Sequence, residues 1–427
     1  MTSMPPALSV VVATRDRRAS LERLLAALAD QTVSRAAFEV IVVADGCVDD
    51  TVSAIGGHTT PFSLRVERLE GVGAAAARNA GAAVARGPLL VFLADDLEPS
   101  KPLLEAHLAA HGDEADRIMV GPYLPAPPSK TDYLVMAVRA WWHDRFSAMR
   151  RPAHRFGYRD CLDGNLSIRT ELFRRLGGFD PGFADSHEDY EFGARALKAG
   201  IPIRFAPAAM ARHYVHEEAS LGTAFRRSRR AGRADVRLGH KHPELRASMP
   251  LIRFGDPRSR ASRLAHHLTF SWPRLSDAAA AALESLLPLL EWLQLRSRWQ
   301  RVFTAAERHW YLRGLADALP SRTEFSRFIH DGHHLAARHA AGPELEVDLA
   351  DGIRSALDHV DRLRPRTLRI RFGEVPLARL ADQPGSEPLR GIHVQATLAE
   401  DLNWPLFLAL VERTAFDSVP LGASQDR

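Results

Sequence analysis

Three groupings of residues carry the types and spacings that chemistry needs. Asp95 and Asp96 stand side by side where the apolar run 89–94 (LLVFLA) stops. Adjacent carboxylates repel and are costly to desolvate unless a cation or donors compensate. Such a pair suits a hard divalent metal carrying phosphates, and it equally suits a turn ahead of Pro102. The second grouping is His187-Glu188-Asp189, at the head of a run with helical spacing that ends at Gly200. Acids in a first helical turn compensate the dipole. One with an acidic neighbour and partial burial is also a candidate general base, because both raise its pKa toward neutrality. The third is the glycine turn 71–81 (GVGAAAARNAG), which matches the dinucleotide fingerprint with Ala76 in the third glycine's place and Asp95 near the ribose acid's position. Against that reading, the preceding strand carries Glu67 and Arg68, it is not the first strand, and Asp96 and the later acids stay unexplained. Two further groupings fall short. His216-Glu217-Glu218 lacks the later histidine of a zinc-peptidase helix, and His330, His333, His334 and His339 have no cysteine or carboxylate cluster beside them.

The elements that must position these groups read as alternating strands and helices. Residues 8–13 (LSVVVA) and 38–44 (FEVIVVA) are continuous apolar runs, as in strands buried on both faces. Ser20 is a candidate cap for a helix bearing Leu21, Leu24, Leu25 and Leu28, and Asp49-Asp50-Thr51 opens another. Residues 64–69 (LRVERL) alternate and predict a half-exposed strand. Residues 163–169 predict a turn entering a short strand, with Thr170 capping the helix after it and Ser186 capping the helix that carries Glu188 and Asp189. Strands ending on charged residues and alternating with helices predict a doubly wound, mostly parallel α/β sheet with its ligands at the strands' carboxyl ends.

Composition narrows the partners. In 427 residues, a net charge of +4 excludes a nucleic-acid-binding overload, and two cysteines, Cys47 and Cys161, exclude a disulfide scaffold. The apolar run near the N-terminus reads as a strand and not a signal peptide, and no uncharged stretch reaches the roughly 20 residues of a membrane span. The expectation is a cytoplasmic protein that can rest peripherally on the inner face of a membrane. Trp141 and Trp142 suit either packing or stacking on a sugar ring. The arginine-rich run 225–241 suits a solvated helix face or a grip on phosphates. Residues 246–342 predict a helical region after a first domain at 1–245. Residues 343–427 predict a small α/β module with a hairpin (TLRIRF, VPLARL) and no chemistry of its own.

Six ordered blocks, LSVVVATRDR, VVADGCVDDT, GVGAAAARNAG, VFLADDLEP, GNLSIRTELFRRLGGFDPGF and HEDYEFGARALKAG, resemble the family 2 glycosyltransferases of the GT-A fold over residues 7–220. The resemblance implies that Thr14 and Arg15 lie beside the nucleotide base and that Asp45 hydrogen-bonds it. It implies that Arg78 helps hold the donor, Asp95 lies near the ribose or sugar, and Asp96 coordinates Mg²⁺ or Mn²⁺ on the diphosphate. Asp189 takes the place of the catalytic base, with Glu188 beside it, and His216 resembles a late histidine that reaches the metal. Ala94 stands where many members have a first aspartate, and Ala44 and Cys47 replace the usual aspartate and serine around Asp45.

The implied reaction is inverting transfer from a nucleotide-sugar donor to a hydroxyl on a carbohydrate, lipid-linked or other acceptor, without nucleic acid. The alternatives are a dinucleotide-dependent oxidoreductase built on the 71–81 turn and a non-catalytic nucleotide-sugar-binding protein.

Overall fold

The computed structural model describes residues 5–57, 59–112, 116–127, 132–184, 186–214, 219–254, 260–340 and 343–417. Strands β1 (Leu8–Thr14), β2 (Phe38–Asp45), β3 (Ser63–Leu69) and β4 (Leu89–Leu93) pair in parallel in the order β3-β2-β1-β4. Helices α1 (Arg18–Ala29), α2 (Thr51–Gly56) and α3 (Ala74–Val84) make the connections. β2 and β4 are buried throughout and β3 is half exposed, as their patterns predict. The helix α3 lies close on the sheet: a Cβ at Gly81 would stand 2.5 Å from Val11 and 3.1 Å from Val43.

Beyond β4 the chain reverses direction. β5 (Leu97–Pro99) leaves the main sheet, and α4 (Leu103–His111), β6 (Ile118–Val120), β7 (Tyr123–Pro125) and α5 (Tyr133–Arg150) follow. β8 (Asn165–Arg169) inserts antiparallel between β4 and β6, and β9 (Ile203–Phe205) completes the seven-stranded order β3-β2-β1-β4-β8-β6-β9. β10 (Ala211–His213) joins β5 and β7 in a second, three-stranded sheet. The expected doubly wound, mostly parallel α/β unit is therefore present, with two antiparallel pairings.

Between β8 and β9 lie α6 (Thr170–Arg175) and α7 (Glu188–Lys198). Four phenylalanines fasten α7 beneath β4: Phe92, Phe173, Phe179 and Phe192 have ring centroids 5.0–5.4 Å apart. Pairs of this geometry contribute about 0.5–1.5 kcal/mol each beyond their burial. Three expected caps are not formed. α1 starts at Arg18, so Ser20 lies inside it, and α6 starts at Thr170 itself. α7 is preceded by His187 in the left-handed region (φ 72°), and the Ser186 hydroxyl bonds the His187 ring at 2.7 Å instead of an amide. A left-handed non-glycine residue costs on the order of 1–3 kcal/mol, which packing around it must offset.

α8 (Leu221–Lys241) is followed by the helical region, with α9 (Arg260–Ser271), α10 (Pro273–Glu284), α11 (Leu287–Trp292), α12 (Arg296–Ala318) and α13 (Arg322–Ala340). α8 and α12 cross closely where both present glycine. A Cβ on Gly314 would meet the Arg229 carbonyl oxygen at 2.0 Å, and one on Gly232 the Tyr311 carbonyl oxygen at 2.2 Å. The core under this crossing, which includes Leu312, Leu315 and Phe328, also takes in Tyr158, Phe183 and Ala194 of the first unit. The C-terminal module has its own core. It comprises β11 (Glu344–Asp348), α14 (Ile353–Leu363), the antiparallel pair β12 (Thr367–Phe372) and β13 (Val375–Leu380), α15 (Gly391–Glu400) and α16 (Asn403–Asp417). It docks through buried Glu387, which pairs with Arg204 at 2.9 Å, and Arg155, which donates to the Glu387 carbonyl oxygen at 2.8 Å. No helix among the described residues is long and apolar enough to cross a membrane.

Candidate active site

Asp95 and Asp96 sit just past β4, and each has acquired a cationic partner. Asp95 is buried, accepts from Thr14 Oγ1 at 2.8 Å and pairs with Arg17 Nη1 at 2.8 Å. Burial pushes its carboxyl up, and the Arg17 charge opposes this only in part. Asp96 faces His213, with Oδ2 3.2 Å from Nε2, and Arg17 stands 3.5 Å away. Burial also acts to raise Asp96, but the hydrogen bond and charge of His213, with Arg17, hold it below the usual carboxylate range. Oδ1 of Asp96 and Nδ1 of His213 are buried with no hydrogen-bond partner among the described residues. The second sheet explains the meeting: antiparallel pairing sets His213 of β10 opposite Leu97 of β5, one residue from Asp96.

Across the site lies a cluster of three carboxylates around one guanidinium. Arg78 Nη1 is 2.8 Å from Asp163 and 3.0 Å from Glu188, all three largely buried. Asp189 accepts from the Tyr190 amide at 2.8 Å. Burial, opposed by Arg78 and reinforced by Glu188, raises Asp163 to about 6. Burial and the charges of Asp163 and Glu188 push Asp189 well above the ordinary carboxylate range. The neighbouring Asn79 fixes the loop before α7, donating to the Phe179 carbonyl oxygen at 2.7 Å and accepting its amide at 2.9 Å. The Arg-Asn pair thus divides its work between the acids and the loop that carries them.

Both acidic groupings lie within electrostatic reach of one buried ring. Burial raises the Tyr123 phenol, and the charges of Asp163, Asp189, Tyr190 and Asp96 raise it further. A cleft of about 420 Å³ opens on the Asp96 side of this region, bordered by Asp96, His213, Ser186 and the α8 arginines Arg226, Arg227 and Arg230; Asp163, Glu188 and Asp189 are not on its walls. A larger hollow, about 810 Å³, lies beside Phe38, Phe62 and Arg86 and has no carboxylate on its walls.

The remaining expected site residues are placed as follows. Thr14 is buried on Asp95, and Arg15 is exposed at the end of β1. Asp45 takes the amides of Gly71, Val72 and Gly73 at 2.7–2.9 Å, so its carboxylate holds the glycine turn in place. His216, expected at the metal, lies outside the described residues. Sequence reading missed Arg17, Asp163 and His213. Asp163 and His213 sit in runs already singled out (DGNLSIR and RHYVHEE), and only the chain reversal after β4 distinguishes them. A separate exposed group, Asp16, Cys47 and Asp49, has ligand atoms within 4.8 Å of one another, but Asp16 is taken up by the Val48 amide at 2.7 Å.

Residues 9–177 match the sequence model of the family described as Glycosyl transferase family 2. Validoxylamine A glucosyltransferase of Streptomyces hygroscopicus subsp. jinggangensis is 32% identical over 227 residues, covering 47% of this chain and 54% of that protein. The chain thus spans about half the length of that curated relative. Glycosyltransferase AglE of Haloferax volcanii is 25% identical over 56% of this chain and 76% of its own. The solved mannosyltransferase PcManGT from Pyrobaculum calidifontis, in complex with GDP-Man and Mn²⁺, aligns over 73% of this chain and 86% of its own, at 19% identity and a TM-score of 0.46.

Proposed function

From a chain whose residues 9–177 belong to glycosyl transferase family 2, we propose an inverting transfer of a sugar from a nucleoside-diphosphate sugar to an acceptor hydroxyl. The observation that carries it is that the Tyr123 ring packs against both ends of the site, meeting the His213 ring at 5.5 Å and standing 2.9 Å from where a Cβ on Gly164, the neighbour of Asp163, would lie. Asp96 and His213 fit a hard divalent cation: Oδ2 and Nε2 face each other at 3.2 Å, Asp96 Oδ1 is buried and unpartnered, and an oxygen–nitrogen set suits Mg²⁺ or Mn²⁺. When bound, the cation offsets the charge of the departing diphosphate.

This chain's own groups do the rest. Arg226, Arg227 and Arg230 line the cleft where a diphosphate would lie. Asp189 takes the proton of the acceptor hydroxyl as that oxygen bonds to the anomeric carbon. The bond from that carbon to the diphosphate oxygen breaks, and the nucleoside diphosphate leaves with the electron pair. Arg78 orients the acids through Asp163 and Glu188. A positioned base typically contributes ~10²–10⁴-fold. Asp189 must be ionised to act, and its raised pKa makes turnover increase with pH above the ordinary carboxylate range.

The name of the glucosyltransferase relative supports a hexose donor, with glucose first to try. The dinucleotide alternative loses its main feature, because the three turn amides a pyrophosphate would need already bind Asp45. The test incubates the protein with UDP-, GDP- and dTDP-hexoses and Mn²⁺ and follows nucleoside diphosphate release. Release that rises with pH supports the reading. The absence of both release and a diphosphate-dependent thermal shift would overturn it.

A further inference from the structure

A second cavity, about 400 Å³, lies between α5, α8 and α12, and it shares Leu134, Val138, Ala224 and Arg227 with the cleft at Asp96. Its volume is within the ~300–1,000 Å³ of small-molecule sites. Two aromatic pairs form its walls. Trp141, 51% exposed, meets Trp142 edge-on at 4.7 Å, and Trp299 stacks on Phe303 at 4.9 Å with planes 10° apart. Polar groups converge between them from Arg227, Gln300 and Glu307. Trp299 is 2% exposed, and its indole N–H has no hydrogen-bond partner among the described residues. Leaving such a donor unsatisfied is costly, so a ligand oxygen that met it would be favoured. Trp142 joins this cavity to the chemistry: its ring meets that of His213 at 5.6 Å, and His213 bonds Asp96.

We propose that this cavity is the acceptor subsite and that its occupant is a hydroxylated saturated ring, a pyranose-like sugar. The inference rests on the transferase reading above and adds the acceptor's class. The half-exposed Trp141 indole accepts the apolar C–H face of such a ring, while its equatorial hydroxyls reach the polar groups on the walls. An alkyl chain would desolvate Arg227 and Gln300 without offering them a partner.

Ligand-observed saturation-transfer NMR on the full chain tests this, with methyl and phenyl glucopyranosides and mannopyranosides as probes and decanol as the lipid-like control. Trp141→Ala removes one face of the cavity from a half-exposed position, and Thr304→Trp fills it from an exposed one. The expected result is saturable binding of at least one glycoside, weakened tenfold or more by both variants, with the nucleoside-diphosphate thermal shift unchanged in each. Glycosides that do not bind, that bind both variants as well as the parent, or that are outbound by decanol would overturn the proposal. Loss of the diphosphate shift in the parent protein would instead count against the transferase reading, so the two failures are distinguishable.

Discussion

The two acidic groupings of the site are built on opposite charge plans. At the end of β4, two aspartates meet two basic side chains, Arg17 and His213, and Asp96 is held below the usual carboxylate range. In the cluster at α7, Asp163, Glu188 and Asp189 share the one guanidinium of Arg78, and both aspartates are pushed up. The first pairs its acids with basic side chains before any ligand arrives. The second crowds carboxylates around too little positive charge, which strengthens their affinity for a proton and suits a group that must accept one during turnover. A fold that needed only stability would have no use for the imbalance.

Breaking the imbalance at its centre has the largest expected effect. Arg78→Ala strands buried Asp163 and Glu188, and losing one partner of such a group costs about 3–5 kcal/mol. Urea unfolding at pH 8 should show it, with a smaller loss at pH 5, below the Asp163 pKa of about 6. Next, Asp96→Asn removes the ligand atom that the matched end offers. Calorimetry should find Mn²⁺-dependent nucleoside diphosphate binding weakened at least tenfold, with the metal-independent part unchanged.

A subtler probe uses pH. Asp163 has a folded pKa of about 6, above the unfolded carboxylate value near 4. Between those values the folded state binds more protons than the unfolded chain, so this group's contribution to stability falls as pH rises. Asp163→Asn should flatten that part of the melting-temperature profile. The smallest effect is expected from Arg17→Gln. It removes the Asp95 ion pair while leaving the Thr14 hydrogen bond, and should raise the donor KM only a few-fold.

Much of the scaffold was legible because burial leaves a plain mark. β1, β2 and β4 are continuous apolar runs between helices, and acids at their ends point to the ligand edge. What stayed hidden depends on pairing across the chain. β6, β7 and β10 are three residues each, too short for any period, yet their pairing decides that His213 reaches Asp96. Arg17 stands in a turn of five polar residues that pattern cannot rank. The arginines of α8 show the same limit. Arg229 and Arg233 are spent on Asp317, while Arg226, Arg227 and Arg230 border the cleft, a division set by the α8–α12 crossing. Asp45 was assigned from resemblance to a nucleotide base, whereas its carboxylate here binds the glycine turn.

The most direct test of the account replaces Asp189 by asparagine, which keeps the shape and removes the base. With Mn²⁺ and a donor that the parent protein uses, sugar transfer should fall by ~10²–10⁴-fold while nucleoside diphosphate binding stays within a factor of two. Transfer at the parent rate by Asp189→Asn would contradict the assignment of the base and, with it, the role given to the whole cluster.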